Sequence, residues 1–292
     1  MNKQLSVIIP VYNEQKMVGQ IIEELKKELD NLDLDYEIIV VNDASTDKTE
    51  EILEKIGGIT IINHSYNKGY GASLKTGFER AKFNSLLFFD ADGQHKVEYI
   101  SEMLKHSDNY DLVTGVRVGY KGPFIRQPGK KILSWLANYL SQQKIPDFNC
   151  GLRIVKKEQI SKFTHLLCDG ISFSTTTLLL FIGERLSIKY IPVTVNKRMG
   201  GKSGVKPKHA LDAFILILRS ILLSSPLRVF LPTTGLLLLL GIISFIIDII
   251  QSYRTNLSIS EATIFILISA MLVFFFGLLA DQLSAIRKEI KK

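Results

Sequence analysis

Leu5-Ser6-Val7-Ile8-Ile9-Pro10-Val11-Tyr12-Asn13-Glu14 is an apolar, strand-like run that turns polar at its carboxyl end. A helical pattern follows over 17–29, then a second apolar run at 37–41 and a second helical pattern at 49–56. Strand and helix in this alternation predict βαβ units and a parallel sheet. Further strands are expected at 60–63, 86–90 and 111–115, with helices at about 71–82 and 97–106. Ligands of such sheets collect beyond the carboxyl ends of the strands. The run-outs there are polar in each case: Tyr12-Asn13-Glu14, Asn42-Asp43-Ala44-Ser45-Thr46-Asp47, Asn67-Lys68-Gly69-Tyr70-Gly71 and Asp90-Ala91-Asp92. Four loops therefore converge on one crevice, although Ser45, Thr46 and Asp47 equally suit a helix cap, and Gly69 and Gly71 a tight turn.

The chain has 292 residues, 46% of them apolar, with mean hydropathy +0.17. That is more apolar mass than a soluble domain calls for, so part of it is expected to face lipid. Cys150 and Cys168 are the only cysteines, and no charged-then-apolar leader opens the chain. A secreted disulfide framework is thus disfavoured and the first domain is expected in the cytosol. The net charge of +7 suits anionic lipid or phosphate substrates. Basic residues crowd next to the apolar segments, a placement that points to membrane and not to nucleic acid.

Residues 229–247 and 262–280 carry no charge, and each run is about the 20 residues a bilayer requires. Asp248 and Asp281 fall at the ends of these runs, within reach of the interface. The link 251–260 holds one base, Arg254, whereas Arg287, Lys288, Lys291 and Lys292 follow the second run. The positive-inside rule then places both termini in the cytoplasm. Upstream, 210–224 is apolar with Asp212 and Arg219 about two turns apart on one helical face, and Pro226 ends it. That pattern predicts a helix lying in the membrane surface. The expected organisation is a catalytic α/β domain over 1–208, an interfacial helix over 209–226, and a hairpin over 229–292 with spans at about 229–250 and 261–281.

Leu86-Leu87-Phe88-Phe89-Asp90-Ala91-Asp92-Gly93-Gln94-His95 carries the chemistry. Carboxylates two residues apart at a strand end can aim hard oxygens at one Mg²⁺ or Mn²⁺, with Gln94 as a third ligand, and such a cation grips a diphosphate. The bland alternative is a solvated turn. Two other nucleotide signatures are excluded. The chain has no Gly-x-Gly-x-x-Gly, and the P-loop suggested by Gly200-Gly201-Lys202-Ser203 needs a glycine where Asn196 stands.

Taken together, Val7-Ile8-Ile9-Pro10-Val11-Tyr12-Asn13-Glu14, Val40-Val41-Asn42-Asp43-Ala44-Ser45-Thr46-Asp47 and Phe89-Asp90-Ala91-Asp92-Gly93-Gln94-His95 resemble the family 2 GT-A glycosyltransferases. Gly115-Val116-Arg117, Asp147-Phe148-Asn149-Cys150-Gly151-Leu152-Arg153 and Arg198-Met199-Gly200-Gly201-Lys202-Ser203 narrow the likeness to the dolichol-phosphate mannose synthase and bacterial undecaprenyl-phosphate glycosyltransferase branch. The likeness spans residues 4–210, and the apolar hairpin fits it.

The resemblance implies a GT-A (Rossmann-like) fold with a mostly parallel sheet, and metal-dependent, inverting sugar transfer from a nucleotide sugar, UDP-linked, to polyprenyl phosphate in the cell membrane. It assigns Pro10, Tyr12, Asn13, Glu14, Asn42, Asp43, Lys68, Gly69 and Ala91 to the nucleotide sugar, and Asp90, Asp92 and Gln94 to the metal. Arg117, Lys130 and Ser134 would meet the lipid phosphate, with Lys131 and Arg126 as substitutes for Lys130. Arg198 and Lys202 would close over the donor diphosphate. Asp147 and Arg153 would line the acceptor side or pair with each other for structure. The segment Ser172-Phe173-Ser174-Thr175-Thr176-Thr177 replaces acidic residues frequent in the family, and serves either sugar specificity or helix capping.

Two alternatives stay open. Diacylglycerol or a polysaccharide as acceptor is one, although the Gln-x-x-Arg-Trp signature of polysaccharide synthases is absent around the only tryptophan, Trp135. A membrane-anchored nucleotide-sugar sensor without turnover is another. A homo-oligomer is compatible with either.

Overall fold

The computed structural model describes residues 3–119, 138–139, 144–196, 225–252 and 259–290, with 215, 218 and 222 between them. Two compact units result, one from 1–138 and 143–216, the other from 217–292 with 139–142. The first unit runs β1 (Lys3–Val11), α1 (Val18–Asp30), β2 (Leu34–Asn42), α2 (Thr49–Leu53), β3 (Thr60–Asn63), α3 (Tyr70–Arg80), β4 (Ser85–Phe88), α4 (Tyr99–Ser107) and β5 (Leu112–Arg117). It continues with β6 (Arg153–Lys156), α5 (Lys157–Ser161), α6 (Phe173–Gly183) and β7 (Ile188–Val193).

The seven strands lie in the order β3-β2-β1-β4-β6-β5-β7. Pairing is parallel except at β6, which runs antiparallel to both β4 and β5. Each strand and helix expected over residues 5–115 is present, with ends shifted by a few residues. β6 and β7 are not among the expected strands; four-residue β6, inserted between β4 and β5, is too short to show a period.

β1 reads as a continuous apolar run because a central parallel strand is buried on both faces; Leu5, Val7, Ile8 and Ile9 are wholly enclosed. α1 covers one face with Val18, Ile21, Ile22, Leu25 and Leu29, a spacing that puts all five on one stripe. Each such side chain contributes about 1.5–3 kcal/mol on burial. α3 covers the sheet too, and comes close enough that a Cβ at Gly77 would stand 2.3 Å from Ile8 Cγ2.

Pro10 sits in a central strand, where a missing N–H is normally costly. Ile8 accepts the Phe89 N–H on the β4 side at 3.1 Å. Pro10, two residues on, faces that same side, and β4 has already ended at Phe88. The proline therefore leaves no ladder bond unmade, and the two strands part at the level where Asp90 leaves the sheet.

The second unit holds α7 (Leu227–Ser252) and α8 (Glu261–Ile290). These are long and apolar enough to cross a membrane over Leu227–Gln251 and Glu261–Arg287. Their windows are only 11% and 17% buried. They meet through small residues: a Cβ at Gly241 or Gly277 would lie 2.6 Å from Leu267 or Phe230 respectively. Asp248 accepts the Ser260 N–H and hydroxyl at 2.9 Å each and the Thr263 hydroxyl at 2.7 Å, joining the two helices at their link. The interfacial helix expected over 209–226 lies almost wholly outside the described residues.

Candidate active site

The ends of β1 and β2 are tied together by side chains of the loop after β2. The Asn13 N–H donates to Ser45 Oγ at 3.0 Å, Asn13 Oδ1 accepts the Thr46 N–H at 2.7 Å, and the Glu14 N–H donates to Thr49 Oγ1 at 3.0 Å. Asp47 Oδ1 accepts the Thr49 N–H at 3.0 Å, so this loop both caps α2 and clasps its neighbour. Asn13 and Ala44 take left-handed backbone angles, φ 56° and 58°. For alanine that conformation is unfavourable, and such strain gathers where a site must be shaped. Tyr12 is 47% exposed beside Pro10, while Glu14 is buried. Asn42 is spent inside the fold, donating to Asn63 Oδ1 at 3.0 Å and accepting the Ser45 N–H at 3.1 Å.

Asp43 anchors the next loop. Its Oδ1 accepts from His64 Nδ1 at 2.7 Å and from the Lys68 N–H at 2.8 Å, and its Oδ2 accepts the Gly69 N–H at 2.8 Å. Gly69 needs its φ of 103°, and a Cβ there would strike the Asp169 carbonyl at 2.6 Å.

Asp90 and Asp92 leave β4 on a third loop. Asp90 Oδ1 accepts the Tyr70 hydroxyl at 2.9 Å. Burial first, then the charge of Asp90, holds the Tyr70 phenol well above its ordinary pKa, so it stays a donor. Asp92 Oδ1 accepts the Gln94 N–H at 3.0 Å. His95 Nε2 lies 3.8 Å from Asp90 Oδ2, and burial is the chief cause that lowers this histidine to about 4. Arg117 lowers it further while Asp92 and Asp147 oppose, which puts all three within electrostatic reach of one ring. His95 is thus neutral near pH 7, and its buried Nδ1 has no hydrogen-bond partner among the described residues.

The residues of this turn fit a hard divalent cation. Both side chains offer carboxylate oxygen, the donor that Mg²⁺ and Mn²⁺ prefer. Gly151 leaves the space beside Asp90 Oδ2 that a Cβ would fill at 2.0 Å. Among the described residues no three His, Cys, Asp or Glu side chains gather as a cage.

Arg117, at the end of β5, forms a two-pronged pair with Asp147: Nε to Oδ2 at 2.7 Å and Nη2 to Oδ1 at 2.8 Å. Burial opposes the charged form of Asp147, but the bonds and charge of Arg117 and the Asn149 N–H outweigh it, so the carboxyl lies below its usual range. This corrects the expected pairing of Asp147 with Arg153. Arg153 is 1% exposed and donates to the carbonyls of Cys150 at 2.8 Å, Phe148 at 3.0 Å, and Ser174. It fastens β6 and the start of α6 to the 147–151 loop and does not line a cleft. The hydroxyls of α6 do not cap it either: Thr176 and Thr177 donate back to the Ser172 and Phe173 carbonyls, each at 2.9 Å, and Thr175 donates to Asn149 Oδ1.

The structure thus brings together Asp90, Asp92, Arg117 and Asp147 in one neighbourhood, with Asp43, Lys68 and Gly69 in a second loop of the same sheet edge. Arg126, Lys130, Lys131, Ser134, Arg198 and Lys202 lie outside the described residues. Sequence reasoning missed His64, Tyr70 and Gly151. Tyr70 and Gly151 stood inside quoted motifs, whereas His64 carried no signal beyond its place at the end of β3.

The model for glycosyl transferase family 2 matches residues 6–162. The chain belongs to glycosyl transferase family 2. A second model, the GtrB C-terminal hairpin, matches residues 225–286 and takes in both apolar helices. An uncharacterized protein of Methanocaldococcus jannaschii is 31% identical over 65% of this chain and 80% of its own. An undecaprenyl-phosphate 4-deoxy-4-formamido-L-arabinose transferase of Edwardsiella ictaluri is 25% identical over 98% of this chain and 90% of its own. Among solved structures, glucosyl-3-phosphoglycerate synthase of Mycobacterium tuberculosis, in complex with Mn²⁺, UDP-glucose and phosphoglyceric acid, aligns with a TM-score of 0.61 at 16% identity. That match covers 75% of this chain and 80% of that one, and shows the fold alone. The sheet described above is therefore the family 2 sheet.

Proposed function

We propose that this family 2 glycosyltransferase moves a sugar from a UDP-sugar to undecaprenyl phosphate, releasing UDP. The observation that carries the reading is the Asp90–Asp92 turn at the mouth of a parallel sheet, in a chain that ends in the GtrB-type hairpin. The named transferase of Edwardsiella ictaluri supports the acceptor, since its likeness runs through both units. The Mn²⁺ and UDP-glucose in the mycobacterial neighbour support the donor class.

In this reading Pro10, Tyr12, Asn13, Glu14, Asp43, Lys68, Gly69 and Ala91 form the nucleotide-sugar site, and Asn42 supports it from inside the fold. Asp90, Asp92 and Gln94 hold Mg²⁺ or Mn²⁺, and the bound cation supplies charge to the departing diphosphate. Arg198 and Lys202, which follow β7 in the sequence, reinforce it. The acceptor phosphate is anionic at neutral pH, so the chain needs to position it and screen its charge, not deprotonate it. Asp147 grips the Nε–Nη2 edge of Arg117 and fixes the plane in which that guanidinium meets phosphate. Lys130 and Ser134 complete that acceptor site, with Lys131 or Arg126 as substitutes. In-line attack inverts the anomeric carbon, and an α-linked donor gives a β-linked product. The catalytic domain and both termini face the cytoplasm, with two spans in the cell membrane. The domain runs over 1–208, and 209–226 forms the interfacial helix.

The test is transfer of label from radiolabelled UDP- and GDP-sugars into the organic phase by detergent-solubilised protein with Mn²⁺ and undecaprenyl phosphate. Transfer from a UDP-sugar that Asp92→Ala abolishes supports the reading. Hydrolysis without transfer overturns the acceptor, and transfer to added diacylglycerol replaces it. Absence of both transfer and donor binding overturns the enzyme.

A further inference from the structure

Three donors converge on Asp43, and their order on its two oxygens is uneven. Oδ1 takes both His64 Nδ1 at 2.7 Å and the Lys68 N–H at 2.8 Å, whereas Oδ2 takes the Gly69 N–H at 2.8 Å. A carboxylate has about four acceptor positions, so Oδ1 is filled and one position remains on Oδ2. His64 is itself held from behind. Its Nε2 lies 3.0 Å from Thr76 Oγ1 on α3. Because an ionised aspartate only accepts, Nδ1 carries the proton, and in the neutral ring Nε2 accepts the Thr76 hydroxyl. The side chains of His64 and Asp43 are 3% and 4% exposed, so this chain of bonds is enclosed between the ends of β2 and β3 and the body of α3.

We propose that His64 is a positioning residue that sets nucleobase choice: by filling Oδ1 of Asp43 it leaves that carboxylate one acceptor position, which suits the uracil class and not guanine. Uracil presents a single ring N–H between two carbonyls. Guanine presents N1–H and N2–H side by side, a pair that two open carboxylate oxygens would match and that a single position cannot. The inference rests on the crevice being the nucleotide site, and it adds why the base would be uracil and which residue enforces the choice.

The experiment is calorimetric binding of UDP and of GDP, each with Mn²⁺, to the full chain in detergent. Wild type is expected to prefer UDP. His64→Ala should weaken UDP about tenfold, the scale of one hydrogen bond to a charged group, and narrow the UDP-to-GDP preference. His64→Asn should restore UDP binding, because its amide nitrogen falls where Nδ1 stands, whereas His64→Gln reaches the Nε2 position and should not. Thr76→Val, which leaves Asp43 and its backbone donors in place, should weaken UDP less than His64→Ala does. A merely structural histidine would lower the unfolding temperature in His64→Ala and leave the UDP-to-GDP ratio unmoved. That unchanged ratio overturns the proposal while the nucleotide site stands. Wild-type preference for GDP overturns it as well, and binding of neither nucleotide overturns the site reading along with it.

Discussion

The sheet unit and the hairpin unit use the same residue, aspartate, in opposite settings. At the sheet edge, Asp43 and Asp147 each accept several protein donors and Asp90 accepts the Tyr70 hydroxyl, inside a unit whose apolar side chains are enclosed. In the hairpin, Asp248 accepts three donors from residues just across the helix link, while elsewhere on the two helices Leu236 and Phe265 are 57% and 72% exposed. Polar order in the first unit shapes a site within a dry core. In the second it closes two helices on each other and leaves the apolar surface for lipid.

Substitutions at these aspartates and their partners should separate the two roles. If Asp92 holds the cation as proposed, Asp92→Ala should cut transfer by about 10²–10³-fold, since several kcal/mol of charge stabilisation would be lost with it. Its unfolding temperature should stay close to wild type; a large drop in stability would place Asp92 with the structural carboxylates instead. Arg153→Met removes donors from three carbonyls and should cost about 3–5 kcal/mol in denaturant unfolding.

Arg117→Met leaves Asp147 buried beside no guanidinium and should cost about 3 kcal/mol, most of it recovered in the Arg117→Met/Asp147→Leu double variant. The pH dependence has a definite sign. Asp147 titrates below its unfolded value, so its contribution is present above about pH 4 and is lost as pH falls through the lower folded value. Losing Arg117 moves that loss to higher pH, which acid unfolding curves of the two proteins would reveal. The smallest effect is expected in the hairpin. Asp248→Ala should weaken helix association by about 0.6–2 kcal/mol, read as resistance of the hairpin to SDS, and leave UDP binding unaltered.

Most of the sheet was legible because its signal is local: apolar runs of strand length, polar run-outs, helical stripes between them. The aspartate turn was legible for the same reason, as it lies within ten consecutive residues. What escaped was long-range pairing. Asp147 and Arg153 are six apart in sequence, yet Asp147 pairs with Arg117, thirty residues away. Arg153 finds carbonyls that no side-chain pattern advertises. His64 looks like any residue at a strand end until the Asp43 and Thr76 atoms are placed against its ring.

The insertion of β6 between β4 and β5 fixes an order of events during synthesis. While the ribosome has made only the first 120 residues, β4 has β1 on one side and nothing on the other, and β5 has no partner at all. An open edge bearing Leu86, Leu87 and Phe88 is a hazard for pairing between nascent chains. The strand that covers it also delivers Gly151 against Asp90. A chain stalled before residue 151 therefore has an uncovered apolar edge and lacks the glycine that packs against Asp90.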